Sequence, residues 1–144
     1  MEGPQDQKKR KMRLGAFIQS HGHHVAAWRH PEVAEAADVN FPHMVEIARI
    51  AERGLFDMLF SADVVGAGQD DPDDLCMSSF VTRFEPITLF SALATMTTHI
   101  GLVCTSTTTY DEPYHIARRF AALDVISGGR SGWNLVTSMQ PLEA

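Results

Sequence analysis

The run Glu85-Pro86-Ile87-Thr88-Leu89-Phe90-Ser91-Ala92-Leu93-Ala94-Thr95-Met96 is followed closely by Ile100-Gly101-Leu102-Val103-Cys104-Thr105. Pro86 suits the first turn of a helix, where its missing N–H would have had no intrahelical partner. Ile87, Leu89, Phe90, Leu93 and Met96 then give that segment its apolar positions. The shorter apolar run at 100–105 reads as a buried strand. It ends in the hydroxyl-rich Ser106-Thr107-Thr108-Thr109. A further helix opens near Pro113 and carries Ile116, Phe120, Leu123 and Ile126 on one face before Gly128-Gly129. Ser131-Gly132-Trp133-Asn134-Leu135-Val136 is the next strand. Strict strand–helix alternation with short loops implies parallel strands joined by right-handed crossovers.

The same alternation extends toward the N-terminus. Arg13-Leu14-Gly15-Ala16-Phe17-Ile18 reads as a first strand. A His/Trp/Pro-rich loop separates it from a helix over 41–53, in which Met44, Ile47, Ala48 and Ala51 recur at helical spacing. Asn40 is placed to cap this helix, Pro42 fits its first turn, and Gly54 is expected to supply the left-handed residue that ends it. The apolar run Leu55 to Ala62 is a second strand that stops at Asp63. This gives an α/β chain with four strands and three intervening helices. A TIM (β/α)₈ barrel takes about 250 residues, so the expectation is its N-terminal half. Asp63, Ser106 with Thr107, and Asn134 would then share the rim at the C-terminal strand ends, where barrel ligands bind. An open doubly wound sheet would also gather them on one edge, and the pattern does not separate the two.

The chain has 144 residues, with 12 Lys and Arg against 18 Asp and Glu and a net charge of −6. That balance argues against nucleic acid as a partner. A hydrophobic share of 44% and a charged share of 21% exclude wholesale disorder. No apolar stretch approaches the ~18 residues of a membrane span, and no apolar signal core follows the basic start. No membrane partner is expected, and a cytoplasmic location is. Two cysteines, Cys76 and Cys104, in unlike contexts suit a reducing compartment better than a disulfide scaffold. Residues 1–11, with Lys8, Lys9, Arg10 and Lys11, are expected to form a disordered basic tail ahead of a barrel segment at 12–144. Val64 to Phe84 is rich in Gly, Asp and Ser, and its acidic run at 70–74 lacks the Gly-centred spacing and terminal Glu of a calcium loop.

No phosphate-binding loop, no Gly-x-Gly-x-x-Gly after a strand and no Gly-x-Ser-x-Gly elbow is present. His21, His23 and His24 have no carboxylate or thiolate at ligand spacing, so they read as pocket lining and no metal is expected. Asp63 fits either a turn residue or an acceptor for a polar ligand. The hydroxyls at 105–109 suit a β-branched strand end or a set of donors to a planar cofactor. Trp28 and Trp133 fit packing or the flank of a planar ring. Taken singly, each residue is accounted for by packing.

Their order is more specific. His24-Val25-Ala26-Ala27-Trp28-Arg29-His30-Pro31 and Ala51-Glu52-Arg53-Gly54-Leu55-Phe56-Asp57 lead to Ala62-Asp63. Glu85-Pro86-Ile87-Thr88-Leu89, Ile100-Gly101-Leu102 and Ser106-Thr107-Thr108-Thr109-Tyr110 follow. Glu112-Pro113-Tyr114-His115-Ile116-Ala117-Arg118, Ser127-Gly128-Gly129-Arg130 and Gly132-Trp133-Asn134-Leu135-Val136-Thr137-Ser138 complete the set. Together they resemble the bacterial-luciferase-like flavin monooxygenases, in the branch of nitrilotriacetate monooxygenase component A, dibenzothiophene-sulfone monooxygenase and long-chain alkane monooxygenase. The resemblance runs from about Met12 to Ser138.

It implies a TIM barrel that uses reduced FMN (FMNH₂) and dioxygen to oxidise a small organic substrate. The flavin would come from a separate NAD(P)H:flavin reductase, and a homo-oligomer is a further expectation. By resemblance Asp63 lies near the flavin, Thr107 with Ser106 supplies the hydroxyl position after the third strand, and Asn134 lies below the isoalloxazine. His24 and Trp28 match the loop that shapes the substrate side; no catalytic residue is assigned. A reduced flavin carries charge near its pyrimidine edge, and its oxygen chemistry needs hydrogen-bond donors and a dry pocket. Members of the family continue through further strands, so this chain is expected to be an N-terminal portion. The alternatives are a non-catalytic remnant or half-barrel subunit, and a deazaflavin-dependent oxidoreductase of the same superfamily. Ser106 to Tyr110 and Gly132-Trp133-Asn134 match the monooxygenase branch better than the deazaflavin one.

Overall fold

The computed structural model describes residues 11–19, 21–24, 26–33, 36–66 and 82–138. The expected tail up to residue 10, the acidic run at 70–74 and Cys76 lie outside the described residues. Four strands, β1 (Gly15–Phe17), β2 (Met58–Ser61), β3 (Gly101–Thr107) and β4 (Ser131–Val136), form one sheet in the order β1-β2-β3-β4. All neighbouring pairs are parallel. Three helices intervene: α1 (Phe41–Arg53), α2 (Pro86–Ala94) and α3 (Pro113–Ser127), with short 3₁₀ turns at Ala27–Arg29 and Ala37–Val39. Each crossover steps to the same side of the sheet. A doubly wound sheet reverses beside its first strand, whereas a barrel does not. The helices pack in series, α1 on α2, α2 on α3 and β3, and α3 on β4. They therefore cover one face, and the arrangement is the first half of a TIM barrel.

Leu59, Leu102 and Cys104 from the strands meet Met44, Ala48, Phe90, Leu93 and Leu123 from the helices in one apolar core. Strand alternation sends the intervening residues to the helix-free face, where Phe17 and Met58 remain 43% and 38% exposed.

The helix ends follow the sequence with three differences. Asn40 caps α1, its Oδ1 accepting from the His43 N–H at 3.1 Å, and Glu85 caps α2 through the N–H groups of Ile87 and Thr88. Gly54, however, has φ −74°; the left-handed residue is Leu55, at φ +59°. The Phe56 N–H reaches the Ala51 carbonyl and the Leu55 N–H that of Glu52, so the closing motif places its left-handed position one residue after the glycine. Helix α2 stops at Ala94, short of Met96, because the hydroxyls of Thr95 and Thr97 bond back to the carbonyls of Ala92 and Leu93. On α3 the buried set is Ile116, Leu123 and Ser127, with Ile126 51% exposed. At about 100° per residue, position 127 returns to within ~20° of Ile116 while 126 falls ~80° away.

Two clamps fix the end of the sheet where the strands begin. Arg130 donates from Nε to Ser127 O, from Nη1 to Thr97 Oγ1 and Ile100 O, and from Nη2 to the carbonyls of Ala94 and Thr97. Glu52 Oε1 accepts from the N–H groups of Thr98, His99 and Ile100 at 2.8, 2.6 and 3.1 Å.

Candidate functional site

The polar residues gather at the opposite end. Register sets Thr105 beside Asn134 and Thr107 beside Val136 on the helix-free face. The Asn134 amide Nδ2 donates to Thr105 Oγ1 at 3.0 Å. Thr107 Oγ1 lies 3.1 Å from Ser138 Oγ and accepts from the Thr109 N–H. The Ser138 N–H in turn donates to Thr109 Oγ1. Thr105 and Thr107 are 4% and 7% exposed. Buried hydroxyls of this kind hold fixed orientations, because an unsatisfied one costs about 1–3 kcal/mol.

Ser106 and Thr107 were expected after the third strand and are its last two residues. Ser106 shares the parity of Cys104 and so faces the helices, and its carbonyl accepts from Trp133 Nε1 at 3.0 Å. Trp133 stacks on Phe120 at 5.5 Å between ring centroids. Burial pushes the neighbouring Cys104 thiol up to about 12, with the Glu85 charge adding to it, so this sulfur stays a neutral packing group. Asp63 follows β2 at the same sheet end, with one strand between it and Asn134. Its Oδ1 lies 3.5 Å from Arg83 Nε, and both side chains are about one quarter exposed, 26% and 25%.

The histidine loop folds over the end of β1. His23 Nε2 is 3.0 Å from the Phe17 carbonyl oxygen and its ring meets Phe17 edge-on at 4.6 Å. His24 Nδ1 accepts from the Ala26 N–H, and Trp28 lies half-buried under the Arg29 guanidinium at 4.8 Å. His21 takes a different path: its Nδ1 is 2.8 Å from Asp38 Oδ1, with side-chain exposures of 12% and 11%. The other oxygen, Asp38 Oδ2, accepts from Thr82 Oγ1 at 3.3 Å. One carboxylate thus joins the β1 loop, the turn before α1 and the approach to α2. Beside it opens a small cavity of about 50 Å³, walled by Ile18, Met44, Phe84 and Leu89 and edged by His21 and Arg83. No group of three or more metal-ligating side chains occurs among the described residues.

Thr105, Thr107 and Asn134 therefore converge, Asp63 stands at the same rim, and Ser106 turns to the other face. The partnership of Thr105 with Asn134 is readable from parity, since Thr105 is two positions from Thr107. Asp38 had no signal in the sequence. Its burial depends on two donors supplied by separate loops.

The family model described as luciferase-like monooxygenase matches residues 12–144. Over 131 residues the chain is 51% identical to N-acetyl-S-(2-succino)cysteine monooxygenase of Bacillus subtilis, covering 91% of this chain and 29% of that protein. It is 45% identical to nitrilotriacetate monooxygenase component A of Aminobacter aminovorans, with 94% and 31% covered. Among solved structures, a riboflavin lyase with modified FMN and its substrate riboflavin superposes with a TM-score of 0.81 at 35% identity, covering 90% of this chain and 30% of that one. The chain spans roughly 30% of the length of these relatives.

Proposed function

The chain belongs to the luciferase-like monooxygenase family, and from that membership we propose that it is the N-terminal part of a two-component monooxygenase working with reduced FMN and dioxygen. The observation that supports this most directly is the row of buried Thr105 and Thr107 with half-buried Asn134 between them at the C-terminal strand ends. A flavin's pyrimidine edge alternates hydrogen-bond donors and acceptors, and an amide with two hydroxyls can answer both. The neighbouring helix-free face carries Phe17 and Phe60, whose rings meet at 4.8 Å, and is apolar enough to lie against a ring system. The residues present fit the group.

Bound reduced FMN would supply the electrons that activate dioxygen for insertion of one oxygen atom into the substrate. Asn134 and Thr107 hold the pyrimidine edge, with Ser106 stiffening the strand end beneath them. Asp63 accepts from the same ligand at the second strand. His24 and Trp28 form part of the substrate side and exclude water from it. A separate NAD(P)H:flavin reductase delivers the flavin, and the protein works in the cytoplasm. The substrate is a small organic acid oxidised at a carbon–sulfur or carbon–nitrogen bond, as the names of the two relatives suggest.

The test is an anaerobic titration of reduced FMN against the longer protein that contains this segment. Asn134→Ala is expected to weaken flavin binding at least tenfold, since it removes a half-buried amide and leaves the buried Thr105 hydroxyl without its donor. Unchanged affinity would overturn the assignment of Asn134 to the flavin. Failure of the parent protein to bind reduced FMN at all would overturn the cofactor.

A further inference from the structure

We infer that His23 is a stop on the free edge of β1: the strand that closes the parent barrel bonds to the Phe17 N–H, and the histidine ring keeps it from the Phe17 C=O. The occupant of the edge rests on the longer parent of the proposed monooxygenase; the stop rests on this chain's own contacts. Backbone groups alternate in direction along a strand. Leu14 O accepts from the Met58 N–H and the Ile18 N–H donates to Phe60 O, so Leu14 and Ile18 turn toward β2. Phe17, next to Ile18, therefore turns its N–H and C=O to the free edge. A parallel neighbour would meet both, a C=O at the Phe17 N–H and, two residues further on, an N–H at the Phe17 C=O. The second place is taken. His23 Nε2 lies 3.0 Å from Phe17 O, and a carbonyl only accepts, so the ring donates. Among the described residues the Phe17 N–H has no partner.

The turn after the strand brings the ring there. The Gly22 N–H donates to Gln19 O at 2.9 Å, and Gly22 has φ +87°, a left-handed position that reverses the chain over the strand end. The His23 ring also meets the Phe17 ring edge-on at 4.6 Å, so two contacts hold it in place. An edge acceptor occupied by a side chain ends strand pairing at that residue. The chain spans 29% and 31% of the two relatives, which leaves most of the parent to supply the neighbour. Every pair in this sheet is parallel, so the occupant is a parallel strand of the parent beyond Ala144. Its departure at Phe17 keeps the rim above the Phe17 and Phe60 rings clear of backbone.

Amide exchange in the parent and in the dilute isolated chain tests the occupant. Ile18, bonded to β2, is expected to exchange slowly in both. Phe17 should exchange fast in the isolated chain and roughly a hundredfold or more slower in the parent. A Phe17 amide equally fast in both overturns the proposal. His23→Ala in the parent tests the stop and should add one slowly exchanging amide to the closing strand. His23→Gln should add none, because its carboxamide N–H keeps the Phe17 carbonyl occupied. No added amide in H23A overturns the stop. A scalar coupling between His23 ¹⁵Nε2 and the Phe17 ¹³C carbonyl is expected in the unaltered parent, and its absence overturns the stop even where H23A folds poorly. None of these samples contains flavin, so their failure and the failure of the cofactor reading are separate results.

Discussion

Glu52 serves three backbone N–H groups with one carboxylate oxygen. Burial pushes its carboxyl up, but the donors His99, Thr98 and Ile100, aided by the His99 charge, outweigh that and hold it below the ordinary glutamate value. A group depressed in the folded state adds stability above its unfolded pKa of about 4.3 and loses that contribution as pH falls through the folded value. Urea unfolding followed from pH 6 to pH 3 should therefore show stability declining on the acid side, with a flatter decline in Glu52→Gln. Parallel curves would show that the three donors are not responsible. Asp57, paired with Arg13 at 2.6 Å and accepting from the Leu14 N–H at 2.8 Å, is held low in the same direction. Being exposed, it contributes less to the slope.

The end of α2 and the starts of β3 and β4 are joined by a single side chain. Arg130 occupies carbonyls of Ala94, Thr97 and Ile100, residues that are 5%, 8% and 1% exposed. Arg130→Met keeps much of the volume but leaves those acceptors unpaired, and it should destabilise the fold by about 3–5 kcal/mol in chemical denaturation. A loss below ~1 kcal/mol would mean water reaches the carbonyls. At this scale much was legible in the sequence. Strand β4 is bounded by Gly129 and the residue change after Val136, and its limits agree with the sequence reading. The Asn40 cap was visible because it stands just ahead of a first-turn proline, and Pro86 marked the start of α2, where Glu85 proves to be the cap. Strand β3 runs further than its apolar residues suggest, since Ser106 and Thr107 pair with Leu135 and Val136 and so gain ladder partners that local composition does not reveal. The left-handed Leu55 was hidden because glycine preference and motif position differ by one residue. Asn134 and Thr107 could be singled out in the text, whereas the His21–Asp38–Thr82 link exists only through tertiary packing.

In the whole molecule one face of the sheet is packed and the other is not. Among the described residues β1 pairs only with β2 and β4 only with β3, so two edges carry unpaired backbone groups. Exposed Phe17 and Met58 add apolar surface beside them. The isolated 144-residue chain should self-associate as concentration rises in sedimentation velocity and should enhance the fluorescence of an apolar dye. A compact, non-associating monomer that leaves the dye dark would show that these surfaces are covered. No helix among the described residues is long and apolar enough to cross a membrane. The clamps of Arg130 and Glu52 stand where the strands begin, and the hydroxyl network and the cavity beside His21 stand where they finish, with no side chain in common. Folding and chemical choice are therefore inherited through different residues: drift in the mouth can retune what is bound there while the foundation goes on assembling the same scaffold.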